Sequence, residues 1–360
     1  IIDNATWPWV FALPIALAAV SFVLTVVVVP HSVEHVDTGF DIAGSLLSIV
    51  AVGGLVLAIH EGPEQGWTAP ITIVAAAAGL LGAAAFIVVE LRREHPLLDV
   101  RIFAIRGLAA GSVNLFVVFA VMFSMFLVLV QYLQAVLGYS ALRAATGLLP
   151  MAAVMMPLST IAPTIAERIG FRRTLVTGML AMAAGLGLFA VMADPTGGYL
   201  SVLPGVLILG AGVGLAMSPS TAAITSSLPE EKQGVASALN DTVREMGGAV
   251  GIALIGSVLN AAYRSNIEPD LAGLPGEIVE PVSEGIGGAL AVAGQLGENG
   301  AALAAGARSA FVDGMPPALL LGAGVCLAAA GFTARPGPKT AADAAPRLHR
   351  HAPEDEPVTR

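Results

Sequence analysis

Residues 234–259, GVASALNDTVREMGGAVGIALIGSVL, decide how this chain is to be read. A helix of about 20 residues crosses a ~30 Å hydrocarbon core, and this stretch is longer and mostly apolar or small. Yet its first half carries Asn240, Asp241, Arg244 and Glu245. An ionisable group at a helix centre costs about 2.5–3.5 kcal/mol on insertion scales. A helix that accepts three of them turns them away from lipid, into a bundle interior or a watery cavity.

On a helical wheel Asp241 and Glu245 lie about 40° apart, with Arg244 about 60° to the other side of Asp241. Gly248 and Gly251 continue that face, Gly247 adjoins it, and Val243, Met246, Val250 and Leu254 take the opposite side. The polar face is thus also the small-residue face, suited to close packing or to a lined cavity. Spacings of three and four bring Asp241 within reach of both Arg244 and Glu245. Two carboxylates beside one Arg titrate as a coupled set. Two readings stand: exchange of a proton for a cationic substrate, or a structural ion pair near the mouth of the bundle, eased by snorkelling.

The rest of the chain sets this helix among others. Of its 360 residues 56% are hydrophobic and only 12% charged, where a soluble domain carries about 25% charged residues. Mean hydropathy is +0.81. The reading is an all-α, polytopic transmembrane helical bundle; the ten-residue alternation of a membrane barrel is absent. The single cysteine, Cys326, excludes an intrachain disulfide. No Walker loop, metal-ligand cluster or nucleophile elbow is present, so no enzyme, metal or cofactor is expected, and no nucleic-acid partner.

Nine spans are predicted, at 9–29, 40–59, 70–90, 109–131, 142–164, 174–193, 199–221, 236–260 and 310–332, with Pro or Gly at most joints. Thirteen of the seventeen Lys and Arg fall on alternate joints: Arg92, Arg93, Arg101 and Arg106; Arg168, Arg172 and Arg173; Lys232; and the tail from Arg335. Positive charge stays on the cytoplasmic side, which places Ile1 outside and the C-terminus in the cytoplasm of a cell membrane, a bacterial inner membrane. Odd parity with an outside start, and no initiator Met, are read as a chain lacking an upstream part. The long external segment 262–309 is expected to hold an amphipathic helix over 287–309, and the tail 336–360 is expected to be disordered.

Several lesser features accompany the helix. Glu167, Arg168, Gly170, Arg172 and Arg173 surround a one-glycine turn that could clamp neighbouring helices, or simply supply cytoplasmic charge. Gly210 and Gly214 have the small-xxx-small spacing of helix contacts. Asn114, Gln131 and Gln134 are uncharged polar groups of the fourth span, candidates for cavity lining or for interhelix hydrogen bonds. Asp313 is placed at the entrance of the last span, as a cap or as a second ionisable site.

These stretches resemble a known family. Residues 234–258 are similar to the penultimate span of the fourteen-span drug:proton antiporters of the major facilitator superfamily, the EmrB/QacA-type exporters. Trp7-Pro-Trp-Val-Phe-Ala-Leu-Pro-Ile resembles the entry to that family's sixth span, and Phe40-Asp-Ile-Ala-Gly the start of its seventh. His95-Pro-Leu-Leu-Asp-Val-Arg-Ile-Phe resembles the segment before its ninth, and Gln131-Tyr-Leu-Gln-Ala-Val-Leu-Gly-Tyr-Ser the end of that span. Ala166-Glu-Arg-Ile-Gly-Phe-Arg-Arg is similar to its C-half cytoplasmic loop motif.

The resemblance implies span six (1–30), two inserted spans (31–92), a cytoplasmic interfacial linker (93–108) and a complete six-helix C-terminal half (109–335). The first five spans would be missing, so the N-terminal half becomes a partner. The other implied partners are lipid, protons and a hydrophobic or cationic small molecule exported by antiport. Export of an endogenous metabolite, lipid or siderophore, and a non-transporting scaffold or sensor, are the alternatives. Where the family often has Arg-Gln, this chain has Arg244-Glu245. Orientation sets the Asn240–Glu245 cluster within two turns of the cytoplasmic face, which reads as a gate or proton-coupled latch at the inner mouth.

Overall fold

The computed structural model describes residues 12–28, 41–93, 100–228, 233–272 and 275–335. Every regular element among them is helical. The tail 336–360 and Lys232 lie outside the described residues.

Helix α1 (Ala12–Val28) is a 17-residue apolar helix in a unit of its own, residues 1–40. In the second unit, α2 (Ile42–Gln65) and α3 (Pro70–Arg92) pair as a hairpin. Asp41 starts it, its carboxylate accepting from the Gly44 amide at 2.7 Å. That bond satisfies one of the amides a helix start leaves open. Pro70 opens the second arm, where a missing N–H costs nothing.

Five long helices form a closed circuit in which each packs on the next. They are α4 (Arg106–Gln131), α9 (Gln233–Ile267), α12 (Ala301–Ala334), α7 (Phe171–Met192) and α8 (Gly198–Ser226), which returns to α4. Inside it sit Leu115, Met179, Met182, Leu209, Val213, Met315 and Leu319, all but closed to solvent. Outward faces stay apolar, as at Leu81 (70% exposed), Val191 (82%) and Leu320 (55%). Water would not tolerate such a surface over so many helices, whereas lipid does.

Among the described residues, eight helices are long and apolar enough to cross a membrane. They coincide with eight of the nine predicted spans; the described part of the first, at 17 residues, is shorter. The chain is a polytopic helical membrane protein. Pro157 and Pro163 in α6 (Leu149–Ile169), Pro204 and Pro219 in α8 and Pro316 and Pro317 in α12 lie within continuous helices. Packed neighbours make such residues tolerable in membrane helices.

Local details differ. The predicted span 142–164 lies within one candidate span, Ala141–Ile169, inside which α5 (Ala141–Gly147) and α6 meet at Leu148, where Gly147 and Pro150 weaken the ladder. The single amphipathic helix expected over 287–309 is α11 (Ile286–Gln295) and the first turns of α12, parted by a 3-10 turn at Gly297–Gly300. Gly297 takes φ +57° there, a conformation glycine adopts without strain. Asp313 therefore lies well inside α12 instead of at its entrance, exposed and accepting from the Ser309 hydroxyl at 3.2 Å.

Short α10 (Gly276–Glu284) is fastened to α9 by the Tyr263 hydroxyl, which donates to the Val282 carbonyl at 3.0 Å. At the α7–α8 turn the Thr196 hydroxyl and amide both donate to the Asp194 carboxylate at 2.6 Å. Those bonds hold the Asp194 carboxyl below its ordinary range, the hydroxyl contributing most.

Candidate functional site

The described part of helix α9 runs from Gln233, and Asp241 to Glu245 lie about 12–18 Å along it at 1.5 Å per residue. The Arg244 guanidinium sits over the Phe119 ring, 4.4 Å from its centroid. Phe119 is near the middle of α4. The cluster therefore faces the middle of α4.

Within the cluster Arg244 reaches Asp241 at 3.8 Å, a loose pair with both groups substantially exposed. Glu245 is exposed and makes no hydrogen bond or ion pair among the described residues. Asn240 is buried; its amide touches Asp241 at 3.5 Å, and its carbonyl oxygen has no partner among the described residues. Arg244 is held by an aromatic face on one side and a carboxylate on the other, and Asp241 and Glu245 remain open to protons or a cation.

The glycines explain why the charges point outward. Gly247 and Gly251 lie on the backbone of Phe116 and Ala120 in α4, so close that a Cβ at either would fall on a carbonyl oxygen. Gly248 meets the Phe123 ring. This close crossing turns the next sector of the wheel, Asp241 and Glu245, away from α4. In α8 the glycines divide between two neighbours: Gly205 and Gly212 meet α7, and Gly210 and Gly214 meet Met151 and Met155 of α6.

Among the other candidates, Asn114 is wholly buried and donates to Thr333 of α12 at 2.6 Å and to the Ala110 carbonyl at 2.7 Å. Hydrogen bonds between membrane helices average about 0.6 and reach about 1.7 kcal/mol. We expect Asn114→Val to cost within that range, most of it recovered when Thr333→Val is added, in a double-mutant cycle read by denaturant titration. A cycle with no coupling would reject the bond.

Gln131 ends α4 and lines a cavity of about 170 Å³ with Asn260 and Tyr263 of α9 and Phe311 of α12. Gln134 is exposed in the π-turn Tyr132–Val136 that follows. That turn carries Tyr132 so that its hydroxyl donates to the Asp194 carbonyl at 2.9 Å. Glu167, Arg168, Arg172 and Arg173 are exposed around Gly170, which has φ +97°. Among the described residues they form no ion pair with one another.

Sequence reasoning passed over a buried ionic contact. Asp41, only 4% exposed, binds Arg93 at 2.8 Å across the α2–α3 hairpin, near buried Glu90. An aspartate just before an apolar span with arginines just after the next was the available signal.

The family model described as Major Facilitator Superfamily matches residues 1–252. The chain belongs to the Major Facilitator Superfamily. This facilitator chain is 32% identical over 271 residues to the multidrug resistance protein Stp of Mycobacterium tuberculosis, covering 75% of itself and 50% of Stp. It is 30% identical over 331 residues to the multidrug efflux pump LfrA of Mycolicibacterium smegmatis, covering 92% of itself and 65% of LfrA. It is 32% identical over a 375-residue alignment to the tetracenomycin C resistance and export protein of Streptomyces glaucescens, covering 99% and 66%. The facilitator chain spans about half the length of several curated relatives it matches. Several are named as an efflux pump, a transporter or an export protein.

Proposed function

We propose that the chain is the C-terminal portion of an exporter of hydrophobic or cationic small molecules, driven by proton antiport in a cell membrane with the basic end of the bundle in the cytoplasm. The observation that carries this reading is a membrane helix with Asp241 and Glu245 exposed and Arg244 over Phe119, opposite the middle of α4. Ionisable groups kept within membrane helices mark ion pathways. Relatives named for drug resistance and efflux support the substrate class.

In this mechanism the cluster has two states. With both carboxylates ionised, Arg244 is balanced and a cation is attracted. When one takes a proton, Arg244 keeps its place over Phe119 and the cation is released. A membrane potential contributes about 2.3 kcal/mol per 100 mV for each net charge moved, so an exchange of one proton for one monovalent cation is driven by the pH gradient. The substrate site is expected between two halves of a transporter of the relatives' length, with the α9 polar face as one wall. Exposure of Asp241 and Glu245 in this chain agrees with a face that meets further polypeptide.

The test is efflux of a fluorescent cation driven by an imposed pH gradient, from cells making a protein of the relatives' length that contains this chain. Asp241→Asn with Glu245→Gln is expected to reduce gradient-driven efflux at least tenfold, as general proton-transfer groups commonly contribute 100-fold or more. Counterflow of the cation should fall as well, because the ionised carboxylates that attract it are gone. Undiminished efflux in the double variant would remove the cluster from the mechanism.

A further inference from the structure

A cavity of about 450 Å³ opens at the basic end of the bundle, away from the α9 cluster, where α4 and α7 begin and α12 ends. That size falls within the roughly 300–1,000 Å³ of small-molecule sites. Its walls come from four elements: Phe103 of the 3-10 turn Val100–Ala104, Arg106 of α4, Phe171 and Arg172 of α7, and Phe332 and Arg335 at the close of α12. No acidic side chain is among its described lining residues. Arg172 and Arg335 form no ion pair among the described residues.

The starts of α4 and α7, which add partial positive charge, have no side-chain cap, so amides of two first turns face the same region. Apart from Thr333 the other lining groups are apolar. Phe103 and Phe332 are 39% and 45% exposed, forming a greasy rim beside the arginines, which are exposed as well.

Guanidinium groups bind phosphate through paired hydrogen bonds, and basic pockets between membrane helices on the cytoplasmic side take lipid headgroups. We propose that this cavity binds the phosphodiester headgroup of an anionic phospholipid of the cytoplasmic leaflet. Arg106, Arg172 and Arg335 hold the phosphate, and the phenylalanine rim receives the start of the acyl chains. A transported cation would be repelled here, which separates this site from the α9 cluster. Because the linker before α4, the α6–α7 turn and the end of α12 all contribute, a bound headgroup would tie three helix ends together. The leaflet assignment rests on the orientation proposed above; the binding itself does not.

The test uses the full chain purified in detergent and placed in phosphatidylcholine nanodiscs with or without phosphatidylglycerol, with retained lipid counted by native mass spectrometry. The wild type is expected to retain phosphatidylglycerol over phosphatidylcholine. Arg172→Gln with Arg335→Gln should weaken retention by at least tenfold, given roughly fivefold per arginine near a headgroup. Ala104→Glu, which adds a carboxylate at the rim without touching the core, should weaken it as well, and it keeps the test valid if the arginine variant folds poorly. Arg92→Gln, which removes one charge at the same end but outside the cavity, should retain lipid like the wild type. Equal retention of both lipids, equal loss in Arg92→Gln, or unchanged retention in Ala104→Glu would overturn the proposal. So would binding of inorganic phosphate as tight as that of the lipid. No transport is measured, so failure here and failure of the antiport reading are separate results.

Discussion

Gly251→Ala is expected to destabilise the bundle by about 1–3 kcal/mol, and Gly251→Leu to prevent α4 and α9 from packing at all. The reason is the identity of the obstructing atoms. A Cβ at Gly251 meets the carbonyl oxygen, Cα and carbonyl carbon of Ala120, which belong to a helix backbone and cannot rotate aside. Relief requires the helices to separate, which breaks the crossing that also buries Gly247 and Gly248 and supports Phe119 beneath Arg244. Gly256 is the internal control. It lies on the same helix, and a methyl carbon added there would have nothing within 4 Å. Gly256→Ala is therefore expected to be neutral, or stabilising by up to about 1 kcal/mol through helix propensity. Denaturant midpoints of the purified chain check both. Like effects at the two glycines would show that helix propensity, and not the crossing, governs α9.

Asp41→Ala is expected to cost about 2 kcal/mol and to loosen the α2–α3 hairpin. The carboxylate does two jobs with one oxygen, accepting from the Gly44 amide at 2.7 Å and from Arg93 at 2.8 Å. Loss of a cap alone costs about 1 kcal/mol. Removing one member of a fully buried pair costs about 3–5 kcal/mol, but Arg93 is 42% exposed and can reach water, so the total falls between. Asp41→Asn keeps an acceptor for the cap and loses only the charge, so its cost should be about half that of the alanine. Proteolysis at the ends of the hairpin, measured beside the denaturant midpoint, distinguishes local loosening from global loss. Wild-type behaviour in Asp41→Ala would mean that the buried carboxylate holds nothing together.

Most of the helix inventory was legible because lipid imposes a single rule, that backbone groups be satisfied within the segment. Runs such as 174–193 and 199–221 need no tertiary information to be recognised as spans, and the structure has α7 and α8 there. The failures lie where that rule relaxes. The break at Leu148 depends on how Gly147 and Pro150 are seated, and the 3-10 turn at Gly297–Gly300 depends on contacts of an interhelical segment. Asp41 was visible only as part of a family-like string. Its partner lies 52 positions away, beyond any helical spacing.

For the α9 cluster, the sequence by itself determined the composition of the polar face and that Asp241, Arg244 and Glu245 share it, because helical periodicity is local. It also determined that the Lys and Arg gather on alternate joints. Only the tertiary structure decided that Phe119 of α4 stands against Arg244, since the choice of packing partner is not a local property. Only it decided which glycines meet which neighbour, splitting those of α8 between α6 and α7. And only it brought Arg106, Arg172 and Arg335 to one cavity. Separated by 66 and 163 positions, they converge because α4 and α7 begin, and α12 ends, at the same end of the bundle.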